Sequence, residues 1–328
     1  MKALTIVQSV NHALALEMRA NPDIVVFGED VGLSGGVFRA TENLQKEFGE
    51  RRCFDTPLAE SGIAGTAIGM AIAGLRPVIE MQFSGFAWPA MNQLLSHAAR
   101  FRNRTRGAMS CPLVVRMPYG GGIRALEHHV ESMEAIWGHI PGLKVVIPST
   151  PYDTAGLLIA AIRDPDPVIF MEPKRVYRSF KQEVPDKSYT LPIGKARVVQ
   201  AGSDITLVGY GAMMAELTIA VHELEEHFGI HAELIDLRTI YPYDFTTVAS
   251  SVRKTGRLLV VHEGPHSFGV GAELIARTTS ECFTSLQAPP SRLTGSDTIF
   301  PLPRGEQLYM IESEEIINKV RELVSYIP

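Results

Sequence analysis

The stretch DTPLAESGIAGTAIGMAIAGLRPVIEM, residues 55–81, decides the fold because it predicts a helix followed by a buried strand. Glu60 lies at the start of that helix. Much of the helix surface carries no side chain, because of Gly62, Gly65 and Gly69. We expect a flat group to pack closely there, with the Glu60 carboxyl facing an apolar cavity that favours the protonated acid and suits it to proton transfer. The alternative is that Glu60 only caps the helix or pairs with its dipole.

Length and composition indicate an ordinary globular protein. The chain has 328 residues, of which 45% are hydrophobic and 20% are charged, so its length favours two domains. A net charge of −5 argues against nucleic acid or an anionic membrane as the main partner. Basic residues are dispersed except for one short run, which we interpret as a solvated or carboxylate-paired surface rather than a binding patch: Arg100, Arg102, Arg104 and Arg106.

Cysteine usage and the N-terminal segment bear on the cellular compartment. Cys53, Cys111 and Cys282 are widely spaced, which indicates neither a disulfide framework nor a zinc site and fits a reducing compartment. Residues 1–20 have the pattern of an amphipathic helix and lack the apolar core of a signal peptide. The small-apolar run over residues 63–75 is too short and too rich in glycine to span a bilayer. We therefore expect a cytoplasmic protein.

The first half of the chain alternates predicted strands and helices. Buried strands are predicted at short β-branched runs, namely residues 24–27, 77–81, 112–117, 144–148 and 167–172. Helical spacing with an early proline marks residues 89–101 and 150–164. This alternation predicts a parallel α/β sheet. Residues 177–194 are polar and contain proline without a sustained period, so we interpret them as a linker between domains.

The same pattern restarts after the linker. Strands are predicted at residues 204–211, 231–239 and 257–264, and helices at residues 213–228 and 313–324. The sequence therefore predicts an α/β protein with two open, mostly parallel sheets flanked by helices. We place the two domains at residues 1–185 and 186–328.

Glycine-rich turns at residues 32–38, 119–124 and 268–273 suggest phosphate binding, but none matches a GxGxxG or Walker loop. Each turn is either an anion site at a helix N-terminus or only a tight turn, and we favour the turn except at residues 119–124. That segment follows a predicted strand, so it lies at the carboxyl end of the sheet, where ligands bind.

Two histidines follow this loop side by side. His128 and His129 are not expected to point in the same direction, so we expect one of them to face the crevice. A lone histidine is more often a surface residue, and no HxxxH or HxxE spacing supports a metal site; proton handling is the better functional hypothesis. Phe83, Phe86 and Trp88 gather aromatic surface nearby, which suits either stacking on a heterocycle or core packing.

Several long motifs occur in a fixed order along the chain. They are GEDVGLSGGVFRAT, DTPLAESGIAGTAIGMA, EMQFSGF, HIPGLKVVIPSTPYDTAGLL, YGAMMAE, IDLRTIYPYD and KTGRLLVVHEG. In these motifs the sequence resembles the β subunit of the E1 component of 2-oxo acid dehydrogenase complexes over nearly its whole length. The resemblance implies a thiamine diphosphate enzyme built as an α2β2 heterotetramer, in which this subunit has a pyrimidine-binding domain and a transketolase-like C-terminal domain.

The resemblance also implies roles for individual residues. Glu60 would hydrogen-bond N1′ of the cofactor's aminopyrimidine and so let the cofactor's own amine deprotonate thiazolium C2. Phe86 would pack against the pyrimidine, and Leu58 and Gln82 would also contact the cofactor. His129 would assist acyl transfer to the lipoyl group of an E2 partner. It is followed by Val-Glu-Ser where one branch of the family has Ser-Gln-Ser, so the role of these neighbours is left open.

Only the resemblance to the family suggests that metal ions bind. Family members of this kind can hold a monovalent cation such as K⁺ through backbone oxygens, and the matching positions are Leu113, Ala161, Asp164 and Asp166. The chain has no GDG motif followed by a distant Asn, the pattern with which relatives hold Mg²⁺ and the diphosphate. We therefore expect an E1 α subunit to hold the Mg²⁺ and to supply half of each active site, so that this chain alone is catalytically incomplete.

The substrate implied by the resemblance is a small 2-oxo acid. Residues 171–178, 203–211 and 281–301 resemble branched-chain members of the family, whereas residues 179–196 resemble pyruvate members. We favour oxidative decarboxylation of a branched-chain 2-oxo acid, with pyruvate or acetoin dehydrogenase as the alternative. From a different class, the alternative is a non-catalytic α/β binding or scaffold subunit.

Overall fold

A computed structural model describes residues 1–327, and within them no helix is long and apolar enough to cross a membrane. The helices are α1 (Ile6–Ala20), α2 (Leu44–Phe48), α3 (Glu60–Ile72), α4 (Trp88–Gln93), α5 (Phe101–Arg104), α6 (Glu134–Gly138), α7 (Pro151–Arg163), α8 (Met213–Phe228), α9 (Phe245–Thr255), α10 (Val270–Cys282), α11 (Glu306–Tyr309) and α12 (Ser313–Val324). The strands are β1 (Lys2–Leu4), β2 (Ile24–Gly28), β3 (Cys53–Asp55), β4 (Arg76–Glu80), β5 (Val114–Tyr119), β6 (Lys144–Val146), β7 (Val168–Pro173), β8 (Gln182–Val184), β9 (Arg197–Gln200), β10 (Ile205–Gly209), β11 (Ala232–Asp236), β12 (Thr239–Tyr241), β13 (Leu258–Pro265) and β14 (Ser291–Gly295).

The first sheet has seven strands in the order β12-β6-β7-β5-β4-β2-β3. All of them run parallel except the edge strand β12, which is antiparallel to β6. Helices α1 and α7 pack on one face of the sheet, and α3 and α4 pack on the other. Because both faces are covered, β2, β5 and β7 are buried along their whole length, which explains their continuous apolar runs.

The second sheet has five strands in the order β14-β13-β10-β11-β9. Only β9, at one edge, is antiparallel to its neighbour among the described residues. Helices α8 and α12 cover one face, and α9 and α10 cover the other. The predicted fold class, with two mostly parallel sheets flanked by helices, is confirmed.

Several helices begin where the sequence supplies a capping side chain. Before α1, the Thr5 hydroxyl accepts from the backbone N–H of Gln8 at 3.4 Å, while the Gln8 side chain accepts from the Thr5 N–H at 3.0 Å. The Thr150 hydroxyl caps α7, and Glu312 with Glu315 forms a reciprocal pair at the start of α12. Local hydrogen bonds of this kind explain why the predicted helices at 150–164 and 313–324 are correct to within a residue.

The predicted helix over residues 89–101 is wrong in one respect, because it is interrupted. Helix α4 ends at Gln93, a wider π-type turn spans Leu94–Ala98, and α5 follows. In that turn the Ala99 N–H donates to the Leu94 carbonyl five residues back, at 2.9 Å. The apolar residues are spaced by three or four, which fits both an α-helical turn and this wider turn, so the spacing does not reveal the interruption.

Two further predictions needed correction in the region that joins the halves. The linker predicted at residues 177–194 contains β8, which pairs antiparallel with β1. The strand predicted at residues 231–239 ends at Asp236, and Arg238 then adopts a φ of 56°. The chain next forms β12, which joins the edge of the first sheet through β6. The C-terminal half therefore contributes to the first sheet, and the boundary between residues 185 and 186 stays a prediction.

The basic run and the cysteines agree with their simpler interpretations. Arg102 Nε donates to Asp166 Oδ1 at 2.6 Å, which confirms carboxylate pairing for this member of the run. The cysteines are buried as free thiols, and their burial indicates core packing: Cys53, Cys111 and Cys282.

Candidate functional site

The candidate site lies at the carboxyl ends of β2, β4 and β5, which is where open α/β sheets bind ligands. Glu29 and Asp30 directly follow β2, and Gln82 follows β4. The loop with His128 and His129 follows β5. Because neighbouring parallel strands end side by side, these distant parts of the sequence come together at one edge.

Glu60 is the first residue of α3 and is half-buried. Ala59 precedes it and offers no capping side chain, and the Glu60 carboxylate has no hydrogen-bond partner within residues 1–327. The hydroxyl of the next residue, Ser61, donates to the Pro89 carbonyl oxygen and ties the start of α3 to α4. The acid therefore stands at a fixed helix start with its oxygens available to a ligand.

The surface of α3 is as bare as the glycines predicted. A methyl group at Gly69 would meet open space, and one at Gly62 would meet only Ala59 Cβ, at 3.6 Å. At Gly65 the nearest group is the Gln93 side chain, at 3.9 Å. Within the described chain this helix face is thus left uncovered, which suits the close approach of a flat group or of another subunit.

A second carboxyl lies beside Glu60, and the sequence analysis missed it. Glu29 is buried, and its pKa is raised by burial first and then by the negative charges of Glu60 and Asp30. Gln82 Nε2 donates to Asp30 Oδ2 at 3.2 Å, which draws the end of β4 into the same group. Glu29 and Asp30 directly follow the buried run IVVFG, so the rule that ligands bind at strand carboxyl ends would have found them.

Aromatic rings form a second wall of the site. The Phe86 ring lies 5.4 Å from the His128 ring and 5.1 Å from the His129 ring, between centroids. Phe83 is buried behind them, 4.6 Å from His129 and nearly perpendicular to it. Both histidine rings contact Phe86 and lie 4.4 Å apart in the short turn Glu127–His129. The expectation that one of them faces the crevice stays a prediction.

The surroundings of His129 favour its neutral ring, which can accept a proton. Its pKa is lowered by burial, then by His128 and by the ammonium of Lys174, while Glu127 acts in the opposite direction. Its Nδ1 is buried and has no hydrogen-bond partner within the described residues. A buried, unpaired ring nitrogen beside an aromatic pocket is suited to a ligand that supplies or takes a proton.

The glycine loop before the histidines binds an anion, but that anion belongs to the protein. The backbone N–H of Gly121 donates to Glu263, and the N–H of Arg124 donates to Glu306 Oε2 at 2.8 Å. Gly120 has a φ of +80°, and a methyl group there would lie 2.7 Å from the Glu263 carboxylate. The phosphate hypothesis for residues 119–124 is therefore not supported, since the C-terminal half already occupies the loop.

The other two glycine turns also use their amide groups internally. Gly32 N–H donates to Asp55 Oδ1 at 2.6 Å. Gly271 N–H donates to His262 Nε2 at 3.1 Å. Both contacts agree with the tight-turn interpretation.

Comparison with known proteins adds the family. The model described as "Transketolase, pyrimidine binding domain" matches residues 2–179, and "Transketolase, C-terminal domain" matches residues 194–316. The chain is 53% identical over its full length to the pyruvate dehydrogenase E1 component subunit beta of Acholeplasma laidlawii, of which it covers 100%. The corresponding subunit of Bacillus subtilis is 46% identical over 99% of this chain and 100% of its own length. The chain belongs to the E1 β-subunit family.

Membership of the E1 β-subunit family makes the chain a component of a 2-oxo acid dehydrogenase, an oxidoreductase that depends on thiamine diphosphate. This confirms the resemblance, and it favours an enzyme component over the alternative of a non-catalytic scaffold. Among solved structures, a split-gene transketolase whose title describes an inactive β4 tetramer has a TM-score of 0.81 at 21% identity, with 98% of this chain and 99% of that chain covered. That likeness supports the fold.

The preference for branched-chain substrates is not supported. The similar E1 β subunits are named for pyruvate dehydrogenase, which favours the alternative. Two of the three segments that suggested branched-chain members contain core strands: residues 171–178 contain the end of β7, and residues 203–211 contain the wholly buried central strand β10. Likeness in such segments reports the core of the protein and carries little information on the acyl chain.

The departure from the Ser-Gln-Ser pattern has a local explanation in this E1 β chain. Glu131 Oε2 accepts from Trp88 Nε1 at 2.8 Å, and the Glu131 carbonyl oxygen accepts from the Ser84 hydroxyl at 2.5 Å. Glu131 therefore ties the histidine loop to the segment that carries Phe86. The neighbours of His129 hold the histidine loop against the aromatic segment.

The four positions matched to a monovalent cation lie close together, but basic groups already contact them. Arg76 Nη1 donates to the Asp164 carbonyl oxygen at 3.3 Å, and Lys144 Nζ lies 2.7 Å from both Asp164 carboxylate oxygens. Two further carbonyl oxygens of this set already accept backbone hydrogen bonds. The Leu113 oxygen accepts from the Val168 N–H at 2.8 Å, and the Ala161 oxygen accepts from the Asp164 N–H at 3.2 Å. Cation binding at Leu113, Ala161, Asp164 and Asp166 stays a prediction.

Proposed function

We propose that this chain is the β subunit of a pyruvate dehydrogenase E1 and that it acts with an E1 α subunit in an α2β2 heterotetramer. The reaction is the oxidative decarboxylation of pyruvate, with transfer of the acetyl group to a lipoyl group on an E2 partner. The observation that carries the proposal is the 46–53% identity, over at least 97% of the chain, to subunits named for this enzyme.

Four residues of this chain would hold thiamine diphosphate: Glu60, Leu58, Gln82 and Phe86. The available Glu60 carboxylate, the half-buried Phe86 ring and the 79% exposed Leu58 side chain suit a flat heterocycle with a basic nitrogen. The chain lacks the GDG motif with which relatives hold Mg²⁺, so the α subunit would hold the Mg²⁺ that binds the diphosphate.

Thiamine diphosphate, when bound, supplies a nucleophilic carbon and an electron sink. The Glu60 carboxyl would hold a proton at N1′ of the aminopyrimidine. Glu29, whose raised pKa favours its protonated form, would limit negative charge beside Glu60. Phe86 would cover the pyrimidine and exclude water from it. His129 would accept a proton during acetyl transfer and pass it to a sulfur of the lipoyl ring.

Substrate preference in the assembled enzyme tests this proposal. The tagged chain should be purified from its native cells together with its α subunit, and kcat/KM measured for pyruvate and for 3-methyl-2-oxobutanoate with thiamine diphosphate and Mg²⁺. We expect a preference for pyruvate of about 10-fold or more, since a pocket fitted to one methyl group rejects extra methyl groups by about 1–3 kcal/mol. A preference for the branched acid, or a chain that recruits no partner and needs no thiamine diphosphate, would contradict the proposal.

A further inference from the structure

Three charged side chains are buried together beneath the loop that carries His129, and the proposed reaction uses none of them. Lys174 directly follows β7, Glu263 lies in β13, and Glu306 begins α11. Their exposed fractions are only 4%, 6% and 5%. Ionisable side chains are seldom buried to this extent without a specific partner, so the partners of this cluster indicate what it does.

Lys174 binds the backbone where the two ends of the histidine loop, Gly120 and Glu131, meet. Its Nζ donates to the carbonyl oxygen of Gly120 at 2.6 Å. The N–H of the same glycine donates to the carbonyl oxygen of Glu131 at 3.3 Å. Gly120 precedes His129 in the chain and Glu131 follows it. The two ends of the histidine loop therefore meet at Gly120, the residue that Lys174 binds.

The Lys174 ammonium is also separated from the His129 ring only by the ring of Phe83. Lys174 Nζ lies 5.7 Å from the centroid of the Phe83 ring, within cation–π range. Phe83 in turn lies 4.6 Å from the His129 ring, in an edge arrangement. The positive charge is therefore close enough to act on the imidazole through a medium of low polarity.

We propose that Lys174 is a positioning residue for His129. Its ammonium closes the loop at Gly120 and places a positive charge behind Phe83, which keeps the His129 ring neutral and oriented for proton transfer. Lys174 acts through these neighbours and touches neither cofactor nor substrate. The proposal rests on the proposed function, because the proton transfer concerned is the one that accompanies acetyl transfer to the lipoyl group.

The surrounding charges determine the sign of the effect. Burial lowers the pKa of Lys174 to about 7, and the negative charges of Glu263 and Glu306 act in the opposite direction. The charged groups that act on His129 are His128, Glu127 and Lys174, and Lys174 lowers the pKa of the imidazole. Removing the ammonium therefore raises the pKa of His129, so more of the ring is protonated at a given pH.

The test compares two half-reactions of the reconstituted α2β2 holoenzyme. Decarboxylation is followed with pyruvate and an artificial electron acceptor, which bypasses the lipoyl group. Reductive acetylation is followed as acetyl transfer from pyruvate to an isolated lipoyl domain. For Lys174→Met we expect reductive acetylation to fall by about 10-fold or more, while decarboxylation changes by less than about 3-fold. The acid limb of the acetylation pH profile should move upward by roughly 0.5 to 1 pH unit.

A second variant guards against misfolding, because Lys174→Met leaves the Glu263 carboxylate without its counter-charge. Lys174→Met combined with Glu263→Gln removes both charges, and the amide oxygen can still accept from the Gly121 N–H. It should show the same selective loss and the same pH shift. Lys254→Met, which removes an ammonium paired with Glu233 in the second sheet, is the matched control and should leave both half-reactions unchanged.

The outcomes separate this inference from the proposed function. If the unmodified holoenzyme fails to decarboxylate pyruvate, the proposed function fails. If the unmodified holoenzyme is active, the result for Lys174→Met decides the positioning role; the double variant is used where the single one does not fold. The positioning role is overturned if the variant reduces both half-reactions equally, changes neither, or leaves the acid limb of the acetylation pH profile in place. The proposed function stands in each of these cases.

Discussion

The two walls of the candidate site are built in opposite ways. Glu60 stands at the start of α3, in a segment whose strand and helix follow one another in sequence, and its helix leaves an uncovered face. His129 stands in a loop that is held by Lys174 from one direction and by Glu263 and Glu306 from the C-terminal half. The acid is positioned by local structure, whereas the histidine is positioned by contacts across 142 and 182 residues of sequence.

This difference suggests a division of labour. Under the proposed function, the Glu60 carboxyl would meet a cofactor shared with another subunit, which an open helix face allows. His129 would transfer a proton to an incoming lipoyl group, which a loop fixed in advance favours. If this view is correct, changes on the two walls should have separable effects on chemistry and on stability.

The largest effect is expected at Glu60. Glu60→Gln removes the proton-holding carboxyl while keeping its size, so artificial-acceptor decarboxylation by the α2β2 enzyme should fall by about 10²- to 10⁴-fold, with acetylation falling alongside it. His129→Gln is the contrasting variant and should lose acetylation while retaining most decarboxylation. Both assemblies should elute from gel filtration at the wild-type volume. Full decarboxylation by Glu60→Gln would refute the proton-holding role.

A smaller effect, on stability, is expected from adding a methyl group to each wall. At Gly121 the new carbon would lie 2.5 Å from Phe300 Cζ and 2.8 Å from Met310 Sδ, so Gly121→Ala should lower the free energy of unfolding by about 1–3 kcal/mol. At Gly69 it would meet open space inside a helix, so Gly69→Ala should be neutral or stabilise by up to about 1 kcal/mol. Urea unfolding of the isolated chain measures both. Equal free energies of unfolding for Gly121→Ala and Gly69→Ala would contradict the contrast between a packed loop and an open helix face.

The smallest effect concerns pH and Glu29. Because the folded chain raises the pKa of Glu29, it binds this proton more tightly than the unfolded chain does. The folded state therefore loses stability as pH rises from the ordinary glutamate value through the raised one. Glu29→Gln removes that loss, so its urea midpoint relative to wild type should increase between pH 4 and pH 7. The exposed Glu50→Gln should give no such trend, and a flat difference for Glu29→Gln would argue against a raised pKa.

Much of the fold was predictable because its signals are local. Buried β-branched runs predicted the inner strands of both sheets, and capping residues such as Thr150 marked where helices begin. The interrupted helix at Leu94–Ala98 and the strand β12, which crosses to the first sheet, were not predictable. Neither follows from a local pattern, because an apolar spacing of three or four residues fits both an α-helical and a wider turn, and a sheet edge accepts any extended segment of suitable shape.

The candidate site divides along the same line. Glu60, Phe86 and His129 could be proposed from the sequence because each lies in a distinctive local segment. Glu29 and Lys174 were missed, although both directly follow buried strands. An ordinary carboxylate or lysine gains a functional role only from what surrounds it, and those surroundings come from other parts of the chain.

The sequence by itself determined the α/β class, the positions of most strands and helices, the family, and the segments that carry the acid and the histidine. Only the tertiary structure decided that the glycine loop receives carboxylates from the C-terminal half, that both histidine rings meet Phe86, and that a buried ammonium lies behind Phe83. The physical reason is the distance along the sequence over which each interaction acts. Backbone propensity and capping act within a few residues, whereas burial and charge depend on which distant segments the folded chain brings together.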